Sequence, residues 1–293
     1  MNTNLLPAVP PSPATTDSVI SVRSLVTRYG DLVAVDHLDL EVHRGEVFAL
    51  LGPNGAGKTT TVETLEGARR PTSGEVRVLG RDPFGADEDW RARVGVVLQA
   101  SGAFDQLTVA EVVHHFARYY PDPADPDTVI DQVGLTDKRA TRTTKLSGGQ
   151  RRRLDVALAI VGRPEVVFLD EPTTGFDPEA RRSFWGLIGG LQELGTTIVL
   201  TTHYLEEAEA LADRVGVIVA GRLVDVGPPA TIGGRARGTV VVTYLGPGGT
   251  ERIDTDEPTA VVAALSSRFG GEIPELTVNR PTLEDVYLQM IGP

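Results

Sequence analysis

The chain has 293 residues, 41% of them hydrophobic, and its 28 basic and 40 acidic side chains give a net charge of −12 at pH 7. This hydrophobic share is enough for a sizeable core and excludes a chain that is disordered throughout. The acidic balance argues against general binding to DNA or RNA, which requires a basic face. Because there is no cysteine, disulfides, thiolate metal sites and cysteine nucleophiles are excluded.

Residues 1–17 are rich in proline and small polar residues, and they lack the basic start and apolar stretch of a signal peptide. We predict that they form a disordered arm. Nowhere does the sequence contain an apolar run near the roughly 18 residues that indicate a membrane helix. A function at a membrane would therefore require a partner that supplies the spans.

Apolar runs of strand length alternate with helical patterns over residues 18–232, which predicts an α/β layered fold. Three of the runs are typical of strands buried inside a parallel sheet. These runs are residues 45–51, 166–169 and 197–200. Between residues 86 and 162 the pattern is more helical, and Thr108 with Glu111 matches a capping box at a helix start.

The C-terminal part, residues 238–293, predicts a small α+β unit. Its turn at 247–249 separates a strand at 239–245 from a return strand near Arg252. The remaining elements predicted there are a helix at 260–269, a strand at 275–279 and a last helix at 283–291.

A glycine-rich motif follows the first predicted buried strand. Residues 52–59 read GPNGAGKT and match G-x-x-x-x-G-K-[ST]. Its glycines let backbone N–H groups point at phosphate oxygens, and the next helix adds its N-terminal dipole. Lys58 would attract the β- and γ-phosphates, and Thr59 would offer its hydroxyl to Mg²⁺. The residues predicted to bind the nucleotide here are Gly52, Pro53, Asn54, Gly55, Ala56, Gly57, Lys58, Thr59 and Thr60.

Two carboxylates, Asp170 and Glu171, follow the second buried strand. Ligands sit at this end of the strands in open parallel sheets. Asp170 is predicted to hold Mg²⁺, and Glu171 to polarise the water that attacks the γ-phosphate. Two acids in this place are also typical of a solvated strand end, but their combination with the phosphate loop favours the catalytic interpretation.

Residues 146–150 read LSGGQ and lie between the phosphate loop and the Asp-Glu pair. In this order the motifs resemble those of the ATP-binding-cassette (ABC) ATPases, and the resemblance covers about residues 19–232. It implies a P-loop NTPase cassette over 18–232, with a RecA-like core, an antiparallel β subdomain and a helical subdomain at about 86–162. Residues 238–293 would then be a C-terminal accessory or dimerisation domain.

The resemblance assigns further roles residue by residue. Tyr29 matches the aromatic residue that stacks on adenine, although a tyrosine packed on a strand would give the same pattern. Gln99 matches the glutamine that senses Mg²⁺ and the attacking water, and His203 matches the switch histidine at the γ-phosphate. Asp177 matches a loop that crosses a dimer interface. The signature residues expected to contact ATP are Ser147, Gly148, Gly149 and Gln150.

The resemblance also implies ATP and Mg²⁺ as cofactors and a homodimer with ATP between the subunits. Residues 276–288 resemble the tail of drug-resistance ATPases that work with ABC-2 type permeases, the daunorubicin-exporter-like group. We therefore expect an ATPase subunit at the cytoplasmic face of the membrane, with two permease copies and no nucleic-acid partner, driving drug, antibiotic or lipid-like efflux. An importer subunit and a soluble ABC ATPase outside transport are the alternatives.

Overall fold

The computed structural model describes residues 18–97, 104, 106–237 and 239–291. The predicted arm at 1–17 and the predicted site residue Gln99 lie outside these ranges. The strands are β1 (Ser18–Tyr29), β2 (Leu32–His43), β3 (Val47–Leu51), β4 (Ser73–Val78), β5 (Val94–Val97), β6 (Val166–Asp170), β7 (Thr197–Thr202), β8 (Arg214–Val219), β9 (Arg222–Gly227), β10 (Val240–Gly246), β11 (Gly249–Thr255) and β12 (Thr277–Asn279). The α-helices are α1 (Lys58–Leu65), α2 (Glu88–Ala92), α3 (Val109–Ala117), α4 (Pro126–Gln132), α5 (Gly148–Ile160), α6 (Pro178–Glu193), α7 (Leu205–Leu211), α8 (Pro258–Phe269) and α9 (Leu283–Ile291).

A six-stranded sheet with the order β5-β6-β7-β3-β8-β9 forms the centre of the fold. Its first five strands are parallel, and β9 returns antiparallel along β8. Every residue of β3, β6 and β7 is buried, which confirms the three predicted interior strands. Since parallel strands end at one edge, the phosphate loop after β3 and the carboxylates after β6 meet there.

Both faces of this sheet are covered, as the α/β prediction requires. Side chains alternate along a strand, so neighbours in sequence enter different core layers. In β3, Ala49 and Leu51 pack in the layer that holds α5 and α6, whereas Phe48 and Leu50 pack in the opposite layer. The opposite layer is closed by the antiparallel sheet β2-β1-β4. This sheet carries Tyr29, the last residue of β1, to the edge of the site.

The described residues between β5 and β6 include the three helices α3, α4 and α5. The side chain of Thr108 accepts a hydrogen bond from Glu111 N, and the Glu111 carboxylate accepts one from Thr108 N, which confirms the capping box of α3. In the described parts of the chain, no helix is both long and apolar enough to cross a membrane.

The C-terminal segment contributes to two separate cores. The sheet β11-β10-β12 packs with α8 around its own small cluster, which includes Val242, Tyr244 and Leu265. Helix α9 instead places Leu283 and Tyr287 in the large cluster formed by α5, α6 and the central sheet. Two apolar side chains of the last helix are therefore buried in the large cluster, whereas the small sheet has a core of its own.

Candidate nucleotide site

The phosphate loop is held tightly between neighbouring strands. A Cβ atom added at Gly52 would lie 2.4 Å from the carbonyl oxygen of Ile218, and one at Gly57 would lie 2.4 Å from that of Ala34. Gly57 also has a φ of 104°, a conformation that other residues rarely adopt. Both glycines are therefore required by the close approach of backbone, which fixes the loop at the start of α1.

Lys58 is the first residue of α1, and its side chain turns back into the loop. Its Nζ donates hydrogen bonds to the carbonyl oxygens of Gly52, at 2.8 Å, and Pro53, at 3.2 Å. The same Nζ lies 3.6 Å from Glu171 Oε1. A positive charge thus sits inside the loop, next to the predicted catalytic carboxylate.

Thr59 and Asp170 lie side by side at the end of β6. The Thr59 hydroxyl donates to Asp170 Oδ2 at 3.2 Å, and the Thr201 hydroxyl donates to Asp170 Oδ1. A hydroxyl and a carboxylate are hard oxygen ligands, as Mg²⁺ prefers. Within the described ranges no three His, Cys, Asp or Glu side chains converge on a metal position. The oxygen donors of Thr59 and Asp170 fit Mg²⁺ by their chemistry.

Glu171 is held at the mouth of the site in a strained conformation. Its φ is 43°, which costs a non-glycine residue about 1–3 kcal/mol. Glu171 N donates to the Thr201 hydroxyl at 2.9 Å, and Glu171 Oε2 accepts from the Thr174 hydroxyl at 3.2 Å. Glu171 Oε1 lies 3.2 Å from His203 Nδ1. The carboxylate predicted to activate water is thus fixed between the predicted switch histidine and Lys58.

The residues predicted from the phosphate loop, the Asp-Glu pair, the switch histidine and Tyr29 converge on one region. A cleft of about 640 Å³ opens there, lined by Tyr29, Leu32, Val33, Ala34, Asn54, Gly55, Gly57, Lys58, Thr59, Thr60, Glu171, Ala220 and Gly221. The Tyr29 hydroxyl is bonded to that of Thr60 at 3.2 Å, and the Arg69 guanidinium lies 4.3 Å from the ring centroid. The Tyr29 ring is therefore fixed at the cleft, where it can stack on a base.

The signature residues lie in a second cleft. Ser147 caps α5, since its hydroxyl accepts from Gln150 N at 3.3 Å while Gln150 Oε1 accepts from Ser147 N at 3.0 Å. This cleft, of about 780 Å³, is also lined by Gly148, Gly149, Glu171 and Asp177. Asp177 caps α6 by accepting a hydrogen bond from Ala180 N at 2.8 Å. One chain thus presents the phosphate loop and the signature segment in two different clefts, and Glu171 borders both.

Arg152 is a buried residue of the site that the sequence analysis did not identify. Its side chain, in a residue only 8% exposed, donates to the carbonyl oxygens of Asp170, at 2.6 Å, and Pro172, at 3.2 Å. Burial lowers the pKa of this guanidinium. Arg152 lies four residues before Val156 on the buried face of α5, a periodicity that could have indicated its position. It links the signature helix to the carboxylate-bearing end of β6.

Comparison with known proteins identifies the family to which the chain is similar. A family model described as ABC transporter matches residues 35–174. The chain is 36% identical over 306 residues to a daunorubicin resistance ATP-binding protein of Streptomyces coeruleorubidus, covering 94% of this chain and 96% of that protein. It is 38% identical over 312 residues to a Nod factor export ATP-binding protein of Ralstonia nicotianae, covering 97% of each.

Solved structures show the same fold. An ATP-binding subunit of an ABC transporter superimposes with a TM-score of 0.69 at 20% identity, over 94% of this chain and 100% of that one. The protein cbiO1 of Clostridium perfringens, part of an ABC transporter complex, gives 0.65 at 30% identity, over 73% of this chain and 90% of that one.

Proposed function

The chain belongs to the ATP-binding, ATP-hydrolysing subunits of ABC transporters, and we propose that it drives export through a separate membrane permease. The observation that supports ATP hydrolysis by this chain is the pair of half-sites that the described residues form. One cleft is lined by the phosphate loop and Glu171, whose Oε1 lies 3.2 Å from His203 Nδ1, and the other is lined by Ser147, Gly148 and Gly149 of the signature segment.

In the proposed mechanism ATP occupies the first cleft. The Tyr29 ring stacks on adenine, and the loop N–H groups and Lys58 bind the phosphates. Thr59 and Asp170 would hold Mg²⁺, together with Gln99, and when bound the ion supplies positive charge to the phosphate oxygens. Glu171 accepts a proton from the attacking water, and His203 contacts the γ-phosphate from beside Glu171.

Two copies of the chain complete each site. Because the two clefts of one chain are separate, we propose that the signature segment of a second copy covers the phosphates. Ser147 and Gly149 of each copy would then face the phosphate loop of the other, with Asp177 at the interface. ATP would stabilise this dimer and hydrolysis would release it, since the γ-phosphate contacts exist only before cleavage.

The transport partner is proposed to be an ABC-2 type permease, in two copies, which places this chain at the cytoplasmic face of the membrane. Support comes from the names of the relatives, one for daunorubicin resistance and one for Nod factor export, each aligned along almost the whole chain. The tail at 276–288 resembles the same group of exporters. A drug-like or lipid-like exported compound fits these relatives.

The test of the chemistry is Glu171→Gln, which keeps the shape of the side chain and removes its basicity. We expect ATP binding and ATP-dependent dimerisation, measured by size-exclusion chromatography, to persist while phosphate release falls by about 10²-fold or more. Glu193→Gln, at the exposed end of α6, is the matched control and should leave turnover unchanged. Undiminished phosphate release from the Glu171 variant would remove this residue from the mechanism.

The test of the partner is affinity purification of the tagged chain from gently solubilised native membranes. Recovery of a multi-span membrane protein supports the exporter assignment and supplies the subunit for substrate assays. In vesicles containing that complex, transport of a candidate substrate toward the side of the membrane that carries the ATPase would favour the importer alternative. Recovery of ribosomal or DNA-processing proteins, without a membrane protein, would overturn the transport assignment.

A further inference from the structure

We propose that Tyr204 and Arg181 act as positioning residues, forming a strut that orients His203 toward Glu171 and links it to α6. The proposal rests on the proposed role of His203 in hydrolysis. Neither residue belongs to the motifs that the sequence analysis identified. Three contacts carry the inference: a ring pair, a guanidinium over a ring, and an ion-pair distance without hydrogen-bond geometry.

The imidazole of His203 is not fixed by a hydrogen bond at the nitrogen that faces Glu171. Its Nδ1 lies 3.2 Å from Glu171 Oε1, yet this buried atom has no hydrogen-bond partner among the described residues. The ring centroid of His203 instead lies 4.1 Å from that of Tyr204, with 40° between the planes. The orientation of the imidazole therefore depends on the neighbouring ring.

The backbone holds these two sequence neighbours in an arrangement that allows the ring contact. Tyr204 is extended, with φ −94° and ψ 113°, immediately before α7. Its N–H donates to the hydroxyl of Thr202 at 2.9 Å. The Thr202 hydroxyl at the end of β7 thus fixes the backbone of Tyr204. The orientation of the Tyr204 ring then depends on the side chain that contacts its other face.

Arg181 supplies that second contact. Its guanidinium carbon lies 4.4 Å from the Tyr204 ring centroid, a cation–π distance. The buried Arg181 Nε has no hydrogen-bond partner in the described structure, and its Nη1 lies 3.9 Å from Glu206 Oε2. Burying a guanidinium with an unpaired donor costs free energy. The contact with the face of the Tyr204 ring is the main interaction that offsets this cost.

The strut ends at the loop proposed to cross the dimer interface. Arg181 lies in the first turn of α6, and its backbone N–H donates to the backbone carbonyl oxygen of Asp177 at 3.0 Å. A displacement of Asp177 on dimer formation would therefore move Arg181, the Tyr204 ring and the His203 imidazole in turn. This gives a physical route by which the interface sets the geometry at Glu171.

Helix α7 has an independent attachment, which allows the strut to be tested without unfolding the helix. Glu207 is fully buried, and its Oε1 accepts hydrogen bonds from the Thr173 hydroxyl at 2.8 Å and from Trp185 Nε1 at 3.4 Å. These bonds do not involve Tyr204 or Arg181. Removing the strut should therefore loosen the imidazole and leave α7 in place.

The experiment compares Tyr204→Leu and Arg181→Met with Tyr204→Phe and His203→Ala in steady-state ATP hydrolysis. We expect kcat to fall about tenfold in each of the first two variants, with KM for ATP within about twofold of the parent chain. Tyr204→Phe keeps the ring and should retain kcat. The Tyr204→Leu, Arg181→Met double variant should have the same kcat as either single variant, because both substitutions remove the same contact between the guanidinium and the ring.

The outcomes separate this inference from the proposed role of His203. Parent-like kcat in Tyr204→Leu, with His203→Ala inactive, would overturn the strut alone. Parent-like kcat in His203→Ala would overturn the role of the histidine itself. If Tm, ATP affinity and kcat all fell together in Tyr204→Leu, the residue would have a packing role, which contradicts the positioning role. Additive losses of kcat in the double variant would contradict it as well.

Discussion

Replacing Gly57 with alanine should weaken ATP binding by more than about 100-fold, whereas the same change at Gly55 should weaken it only about tenfold. Both glycines have a positive φ, 104° and 77°, and this conformation costs alanine about 1–2 kcal/mol. At Gly55 no heavy atom lies within 4 Å of the added Cβ, but at Gly57 the carbonyl oxygen of Ala34 lies at 2.4 Å. Relieving that overlap requires α1 or β2 to shift by about 1 Å, which moves the loop away from the phosphates.

The magnitudes follow from these two costs. Strain alone at Gly55 corresponds to a loss of affinity of about tenfold or somewhat more, whereas strain and displacement together at Gly57 should exceed about 100-fold. Titration with a fluorescent ATP analogue measures both dissociation constants, and circular dichroism checks that each variant is folded. If the two variants bound ATP with affinities within threefold of each other, the close approach to Ala34 would not matter and the reasoning would be wrong.

Two further predictions concern stability. Burial, with Asp170 and Glu63 nearby, raises the pKa of Glu66 from 4.5 to about 8. The folded chain therefore holds a proton that the unfolded chain releases, so stability falls as pH rises through this window. In urea unfolding without nucleotide or Mg²⁺, the free energy of unfolding should fall between pH 4.5 and about 8, and Glu66→Gln should reduce this fall by roughly 1–3 kcal/mol. Equal pH dependence of the unfolding free energy in the parent chain and the variant would contradict this. Tyr287→Ala should cost about 3 kcal/mol because Tyr287 is 9% exposed, whereas Leu288→Ala, at a residue 54% exposed, should cost under about 0.5 kcal/mol; equal costs would refute the packing of α9.

The strands that carry the site could be predicted because burial on both faces leaves a direct record in the sequence. β3, β6 and β7 are short apolar runs, and each is followed by residues that bear chemistry. Because β6 and β7 are neighbours in a parallel sheet, the proximity of Glu171 and His203 follows from topology. The prediction for Gln99 lies outside the described residues and stays a prediction.

The burial of charged side chains on two helices could not be predicted from the sequence. A run of three arginines, as at 151–153, is typical of a solvated helix start, and acidic residues such as those around Glu207 are typical of an exposed helix face. Arg152 and Glu207 are both buried, so the solvated interpretation is wrong for them. Their partners are a strand-end carbonyl and a threonine hydroxyl from distant parts of the chain. A pattern of polar residues along one helix does not contain that information, because the compensating groups belong to other elements.

The docking of α9 buries a surface formed by elements that precede it in the chain. The helix was predicted at its observed bounds, but the surface against which it packs was not. Leu283 and Tyr287 enter the cassette core only after the small sheet and α8 have left the ribosome. A nascent chain interrupted before residue 283 would therefore leave an apolar surface near Ile232 uncovered, where chaperones and proteases recognise incomplete proteins. Helix α9 thus completes a core that the preceding elements leave open.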